Sequence, residues 1–373
     1  MSTIALPASG RRLLPALSPL SQRRLATFRR NRRGAISLVL FLAIFVASLF
    51  ADVLATDRPL LVRFDGHYYV PFAQTYPETT FGGDFATEAE YRDPFVVELI
   101  QDAGGWILWA PVPFSYRTIN YDLPRPAPSP PTGWFWQTPE PCELGSARLC
   151  ANYLGTDDQG RDVLARIIHG IRISVLFGLG LTLVASVIGI VAGAVQGFYG
   201  GWTDLVFQRF VEVWTSLPTL FILIILASMF TPGVLSLLLV MVVFSWPALV
   251  GVVRAEFLRG RNFDYVRAAR ALGQSDVVVM FKHVLPNAMI STITFLPFIL
   301  SGSITTLTSL DFLGFGLPPG SPSIGELLNQ GKNNLQAPWL GFTGFFTLAI
   351  LLSLLVFVGE AVRDAFDPRK TFQ

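Results

Sequence analysis

Residues of the types that do chemistry are sparse in this chain, and their spacing argues against catalysis. The histidines, His67, His169 and His283, are scattered. The cysteines, Cys142 and Cys150, lie in one polar segment. Neither set has the spacing of a metal site. If that segment is exported, Cys142 and Cys150 read as a short-loop disulfide; the alternative is two free thiols. The chain contains no HExxH, no GxSxG and no GxxxxGK[ST] stretch. No catalytic residue, metal or cofactor is therefore expected in it, and ATP hydrolysis is not expected of this chain alone. Two charged clusters remain. Asp157, Asp158, Arg161 and Asp162 crowd LGTDDQGRD, as a local network or as a contact for a solute. The second cluster is DYVRAARALGQSDVVVMFKHVLPN, from Asp264 to Asn287. It holds Arg267, Arg270 and Lys282 between two long apolar runs.

The elements that must position these clusters are membrane spans. The chain is 51% hydrophobic and 14% charged, with a mean hydropathy of +0.50, too apolar for an ordinary soluble domain. Residues 1–34 hold Arg11, Arg12, Arg23, Arg24, Arg29, Arg30, Arg32 and Arg33 and no acid. A basic arm running into the apolar stretch 35–52 reads as a cytoplasmic start and a first span. An RNA-binding or disordered arm is the alternative, and the adjoining apolar run weighs against it, so no nucleic-acid partner is expected. A signal peptide cleaved near Val53-Leu54-Ala55 is the rival reading of the apolar run, which is long for that role. Further spans are expected at about 173–197, 213–231, 234–253, 284–310 and 337–359, about 20 residues being needed to cross. Thr231-Pro232-Gly233 supplies the turn between the third and fourth. Pro218 and Pro297 are expected kinks.

Orientation follows from the short loops. Residues 254–286 carry Arg254, Arg259, Arg261, Arg267, Arg270 and Lys282, and the tail carries Arg363, Arg369 and Lys370. Six crossings from a cytoplasmic start put both inside, with the N- and C-termini cytoplasmic. Residues 53–166 then fall outside as a long insert. Its short strand-like patches and the stiff PRPAPSPP stretch, Pro124–Pro131, predict a small cap that is mostly β or irregular.

Within the second cluster, Tyr265, Ala268, Ala269 and Leu272 recur at helical spacing and are expected to share one face. Gly273 ends that helix, and Ser275 is placed to cap a second one with Asp276 in its first turn. Pro286 limits the second helix, and Asn287 is placed to cap the next span. The loop 254–286 thus reads as two short helices with a sharp elbow. It suits a docking element for a soluble partner, or an interfacial helix with its arginines on lipid phosphates.

Three stretches carry a family resemblance. Arg267-Ala268-Ala269-x-x-x-Gly273, followed by His283-Val284-Leu285-Pro286, resembles the cytoplasmic EAA loop of ABC-importer permeases, with Arg267 where that motif usually has an acid. LGTDDQGRDVLARIIHGIRISV (Leu154–Val175) looks like the segment that enters the second span in permeases of the dipeptide/oligopeptide/nickel group, and SLDFLGFGLPPGSPSIGELLNQG (Ser309–Gly331) resembles their outer loop before the last span. The likeness covers the first span and roughly 150–370. The insert at 52–150 is longer than usual for that group and is most similar to the oligopeptide and microcin-C-uptake type.

The resemblance implies an all-α polytopic protein of the type I ABC-importer permease core, with six transmembrane helices and a large extracytoplasmic insert after the first. It implies a second homologous permease chain, an extracytoplasmic solute-binding protein, a peptide or peptide-like solute, and surrounding lipid in a bacterial inner membrane. ATP and magnesium belong to ATP-binding subunits, which dock on a coupling helix containing Asp264, Tyr265, Arg267, Ala268, Ala269, Arg270, Leu272 and Gly273. It also places Asp157, Asp158, Arg161 and Asp162 at the outer face.

Two other classes compete. One is a carrier driven by an ion gradient; the other is a membrane-anchored enzyme or sensor working through the 53–150 insert. Against a carrier, the span interiors are uncharged, and Glu212, Asp311 and Glu360 sit at or near span ends. The glycines 178, 180, 189, 193 and 197, with Ala185, form small faces for packing inside the bundle or for a dimer seam.

Overall fold

The computed structural model describes residues 19–133, 149–229 and 233–367. Cys142, the Thr231-Pro232 part of the expected turn, and Arg11, Arg12, Arg369 and Lys370 lie outside the described residues. Helix α1 (Pro19–Arg30) leads into α2 (Arg32–Leu49), which is uncharged after its first two residues. Asn31 separates the two and caps α2, its side chain accepting a bond from Gly34 N at 3.2 Å.

Between α2 and the next long helix lie β1 (Leu61–Phe64), β2 (His67–Tyr69), α3 (Pro94–Asp102) and β3 (Trp106–Leu108). The strands form an antiparallel sheet in the order β2-β1-β3, with Arg63 opposite both Tyr68 and Trp106. Asp65 and Gly66 have φ of 45° and 74°, the backbone of a two-residue hairpin turn. Val62, Phe81, Tyr91, Val96 and Ile100 give this segment a core of its own. Pro124–Pro131 forms neither helix nor strand.

The long helices are α4 (Val163–Tyr199), α7 (Val234–Gly260), α9 (Asp276–Phe312) and α11 (Pro338–Phe366). Between them lie α5 (Gly201–Ser216), α6 (Thr219–Met229), α8 (Asp264–Ala271) and α10 (Ile324–Asn333). With α2, five helices are long and apolar enough to cross a membrane among the described residues, or six if the bent pair α5–α6 is one span. Three expectations change. The second span begins well before 173, and its 37 residues make a rod about 55 Å long, longer than the hydrocarbon core. The third is not a straight helix over 213–231. It starts at Gly201 and bends by 75° at Leu217-Pro218, where Leu217 is extended ahead of the proline. The elbow's second helix does not stop at Pro286 but runs on as α9, through a π-helical stretch over Val279–Val284 that places the proline at the start of regular helix.

α4 is the axis of the bundle. Its small residues meet the backbone of α7 in step: a Cβ added at Gly189 would lie 2.5 Å from Trp246 O, at Gly193 2.7 Å from Val250 O, and at Gly197 2.5 Å from Arg254 O. Both helices advance by four residues per contact, so this face is used inside the chain. The largest core joins Phe41, Val163, Ile171, Val175, Leu300, Ile304, Leu327, Leu340 and Leu351 from α2, α4, α9, α10 and α11.

Candidate functional site

The elbow is built around one capped turn. Helix α8 ends where Gly273 takes φ 79°, with Gly273 N donating to Arg270 O at 2.9 Å and Gln274 N to Ala269 O at 3.2 Å. This paired closure is a Schellman motif, and it needs the left-handed glycine. The side chain of Ser275 makes no capping bond, although Ser275 does occupy the cap position. Asn287 does not cap a span; its Nδ2 donates to the Tyr265 hydroxyl at 2.8 Å. His283 Nε2 lies 2.7 Å from Gln274 Oε1. These two side-chain contacts tie α8 and the loop after it to the foot of α9.

The expected face of α8 is divided. Val266 and Ala269 are buried against Phe257, Val279, Met280 and Val284. Tyr265, Ala268 and Leu272 are exposed, Leu272 by 82%. Ala269 therefore faces inward and cannot meet a partner. The reason is that the core takes the α8 stripe centred between Val266 and Ala269, leaving the neighbouring stripe open. Arg270 lies 4.6 Å from the Phe198 ring, with Asp276 Oδ1 3.6 Å away, so it serves the elbow itself. Asp264 and Arg267 are exposed on the outside of α8, and Arg267 has no polar partner among the described residues.

The other cluster is buried. Arg161 Nε donates to Asp157 Oδ2 at 2.6 Å, and its guanidinium reaches Glu326 Oε1 at 3.1 Å. Arg166 donates to Glu326 Oε2 at 2.6 Å and lies 3.5 Å from Asp157 Oδ2. Asp157 and Arg166 are both fully buried. Asp162 caps α4 by accepting from Ala165 N at 2.7 Å, and its other oxygen accepts from Asn152 Nδ2 at 2.8 Å. Burial pushes the Asp162 carboxyl up to about 6, against the pull of these hydrogen bonds. Asp158 stands apart, exposed on the loop. The structure thus brings Asp157, Arg161 and Asp162 together and leaves Asp158 out.

Several members were not singled out from sequence. Arg166, Glu326 and Gln330 complete the network, and Asn120 Nδ2 donates to Asn152 Oδ1 at 2.9 Å. Nearby, Asp311 at the end of α9 accepts from Leu317 N at 2.7 Å and from the Ser323 hydroxyl at 2.5 Å. Arg172 donates to Asp52 Oδ2 at 2.6 Å and holds that carboxyl below the usual carboxylate range. The available signal was that Arg166 and Glu326 fall inside the two motif stretches Leu154–Val175 and Ser309–Gly331. Cys150 is disulfide-bonded.

The chain is thus a polytopic helical protein with five candidate spans among the described residues, or six if the bent pair is one, and a small capped elbow between α7 and α9. The chain belongs to the family described as binding-protein-dependent transport system inner membrane component, whose model matches residues 166–372. It is the permease subunit of an ABC importer. It is 55% identical, over an alignment 383 positions long, to the peptidoglycan transport system permease protein YejE of Agrobacterium fabrum, covering 100% of both chains. It is 58% identical over 354 residues to the inner membrane ABC transporter permease protein YejE of Escherichia coli K12, covering 95% of this chain and 98% of that one. A more distant relative is the glutathione transport system permease protein GsiD of Pectobacterium atrosepticum, 34% identical over 61% of this chain and 75% of that protein. Family membership decides for the permease against the gradient-driven carrier and the membrane-anchored enzyme or sensor.

Proposed function

We propose that this chain and a second, homologous permease form the path by which peptides or peptide-like solutes enter the cytoplasm. The observation that carries the reading is the exposed stripe Tyr265, Ala268 and Leu272 on a helix whose neighbouring stripe, Val266 and Ala269, is locked into the span ends. An apolar stripe on a rigid, capped helix is a surface made for a partner rather than for water. In this reading an ATP-binding subunit, carrying ATP and magnesium, docks on Asp264–Gly273 inside the cell. The termini lie inside, residues 53–166 outside, and an extracytoplasmic binding protein delivers the solute. The names of the relatives, which include peptidoglycan and glutathione transport, support a peptide-like cargo. The buried network of Asp157, Arg161, Arg166 and Glu326 has a structural role, setting the angle between α4 and α10; burial leaves Asp157 and Arg166 no surface for a solute.

The test is uptake and ATP hydrolysis in reconstituted complexes carrying Leu272→Glu or Ala268→Glu. Uptake falls at least about tenfold while the chain still inserts, because a desolvated carboxylate at a docking surface costs more than about 1.4 kcal/mol. Normal uptake by both variants sinks the docking assignment.

A further inference from the structure

The first acidic residue of the chain is Asp52, so the basic arm has no counter-charge of its own. The described part of the arm is nevertheless held in place. Arg24 packs over the Phe366 ring at 4.6 Å, at the last residue of α11. Gly34, in the first turn of α2, lies against Ala361 and the Phe357 backbone. The α1–α2 corner is therefore fixed to the end of the last span, and its remaining arginines form a fixed array.

Helical spacing puts Arg23, Ala26 and Arg30 on one outward face of α1, with Leu25 and Arg29 beside them, and all five are exposed. Arg32 and Arg33 are exposed at the foot of α2. None of Arg23, Arg29, Arg30, Arg32 and Arg33 has an ion pair among the described residues. An array of this kind is complementary to anions repeated at a membrane surface.

We infer that Arg23, Arg29, Arg30, Arg32 and Arg33 form a binding surface for the phosphate headgroups of anionic lipids. The inference rests on the proposed placement of the N-terminus inside the cell. The guanidinium fork matches a phosphodiester in two parallel hydrogen bonds. A basic cluster directly beside a span is the arrangement that attracts anionic lipid. Leu20 and Leu25, 49% and 40% exposed, supply apolar contacts for a helix lying in the headgroup layer. The lipid layer neutralises the array and holds α1, and through Arg24 and Phe366 the end of α11, at a fixed depth.

The test uses the full-length chain in mild detergent, titrated with phosphatidylglycerol against phosphatidylcholine, with bound lipid counted by native mass spectrometry. Wild type retains phosphatidylglycerol in preference. The triple variant Arg23→Gln/Arg29→Gln/Arg30→Gln binds it at least about tenfold more weakly, each guanidinium near the surface contributing about fivefold. Equal retention of the two lipids by wild type overturns the inference, as does an unchanged triple variant. If the triple variant does not fold, salt decides on wild type. Raising sodium chloride from about 0.05 to about 0.5 M shortens the screening length severalfold and releases the lipid, whereas salt-insensitive retention overturns the inference. Tighter binding of a short single-stranded RNA than of phosphatidylglycerol overturns it in favour of nucleic acid. The readout requires no transport, so failure here and failure of the docking assignment are distinguishable.

Discussion

The elbow and the ion network hold their segments in opposite ways. At the elbow an apolar patch, Val266 and Ala269 on Met280 and Val284, carries the packing, and charged groups are left on the outside. At the network the charges are inside, and Arg161, Arg166, Asp157 and Glu326 neutralise one another across segments more than 150 residues apart. The first arrangement leaves a surface free to meet a partner. The second presents no such surface, and it resists separation because buried charges would lose their counter-ions.

Four changes would break or sharpen that contrast. Arg166→Ala leaves Asp157 and Glu326 sharing Arg161 as their one cation, so that one buried negative charge is uncompensated, and should cost about 3–5 kcal/mol, seen as a large drop in the thermal midpoint and in inserted protein. Normal midpoint and level would mean that the network is not structural. Asp162→Asn keeps the helix cap but removes a titrating group. The folded-state value of Asp162, about 6, lies above its ordinary 3.8, so its contribution to stability is present below pH 4 and is lost as pH rises through 6. The stability of wild type relative to Asp162→Asn should therefore fall by up to about 3 kcal/mol between pH 4 and pH 6 and then level off. A flat difference in melting curves over that range would contradict the burial argument. His283→Ala removes one tie of the elbow and should cost about 1 kcal/mol, with uptake reduced less than by Leu272→Glu. A larger loss would show that the elbow depends on polar ties, as the network does. Leu272→Glu should leave the stability within about 0.5 kcal/mol of wild type, with a thermal midpoint close to it, while abolishing most uptake. Parallel loss of both would erase the distinction between a presenting surface and a holding one.

Much of this was legible from local pattern. Most of the spans, the helix–glycine–helix elbow and the left-handed Gly273 depend on neighbours in sequence, and they read out from composition and spacing. The division of the α8 face did not, because Ala269 and Ala268 are equivalent until Val279 and Met280 choose one of them. The partnership of Arg166 with Glu326 was equally hidden: each is an ordinary charged residue near a span end, and only the bundle brings them together. The break of the third span was masked by Asp204, Arg209 and Glu212, which make the first half of that element look like a loop. Asp204 is in fact paired with Arg254 at 2.5 Å, so its charge is met by α7 and not by water. Pro286 misled for a backbone reason, since the π-helical stretch before it absorbs the missing donor that would otherwise end a helix.

The unbroken run from Asp276 to Phe312 has a mechanical meaning. Its foot carries Met280 and Val284, packed on α8, and its tip carries Asp311, which grips Ser323 and the backbone of Leu317. At 1.5 Å per residue the rod is about 55 Å long, so a tilt of about 5° pivoted at the foot moves the tip by about 5 Å. Lever arithmetic of this kind turns a small displacement of the elbow into a side-chain-sized displacement on the far side of the bundle, with Pro297 and the π-helical stretch as the places where the rod can flex.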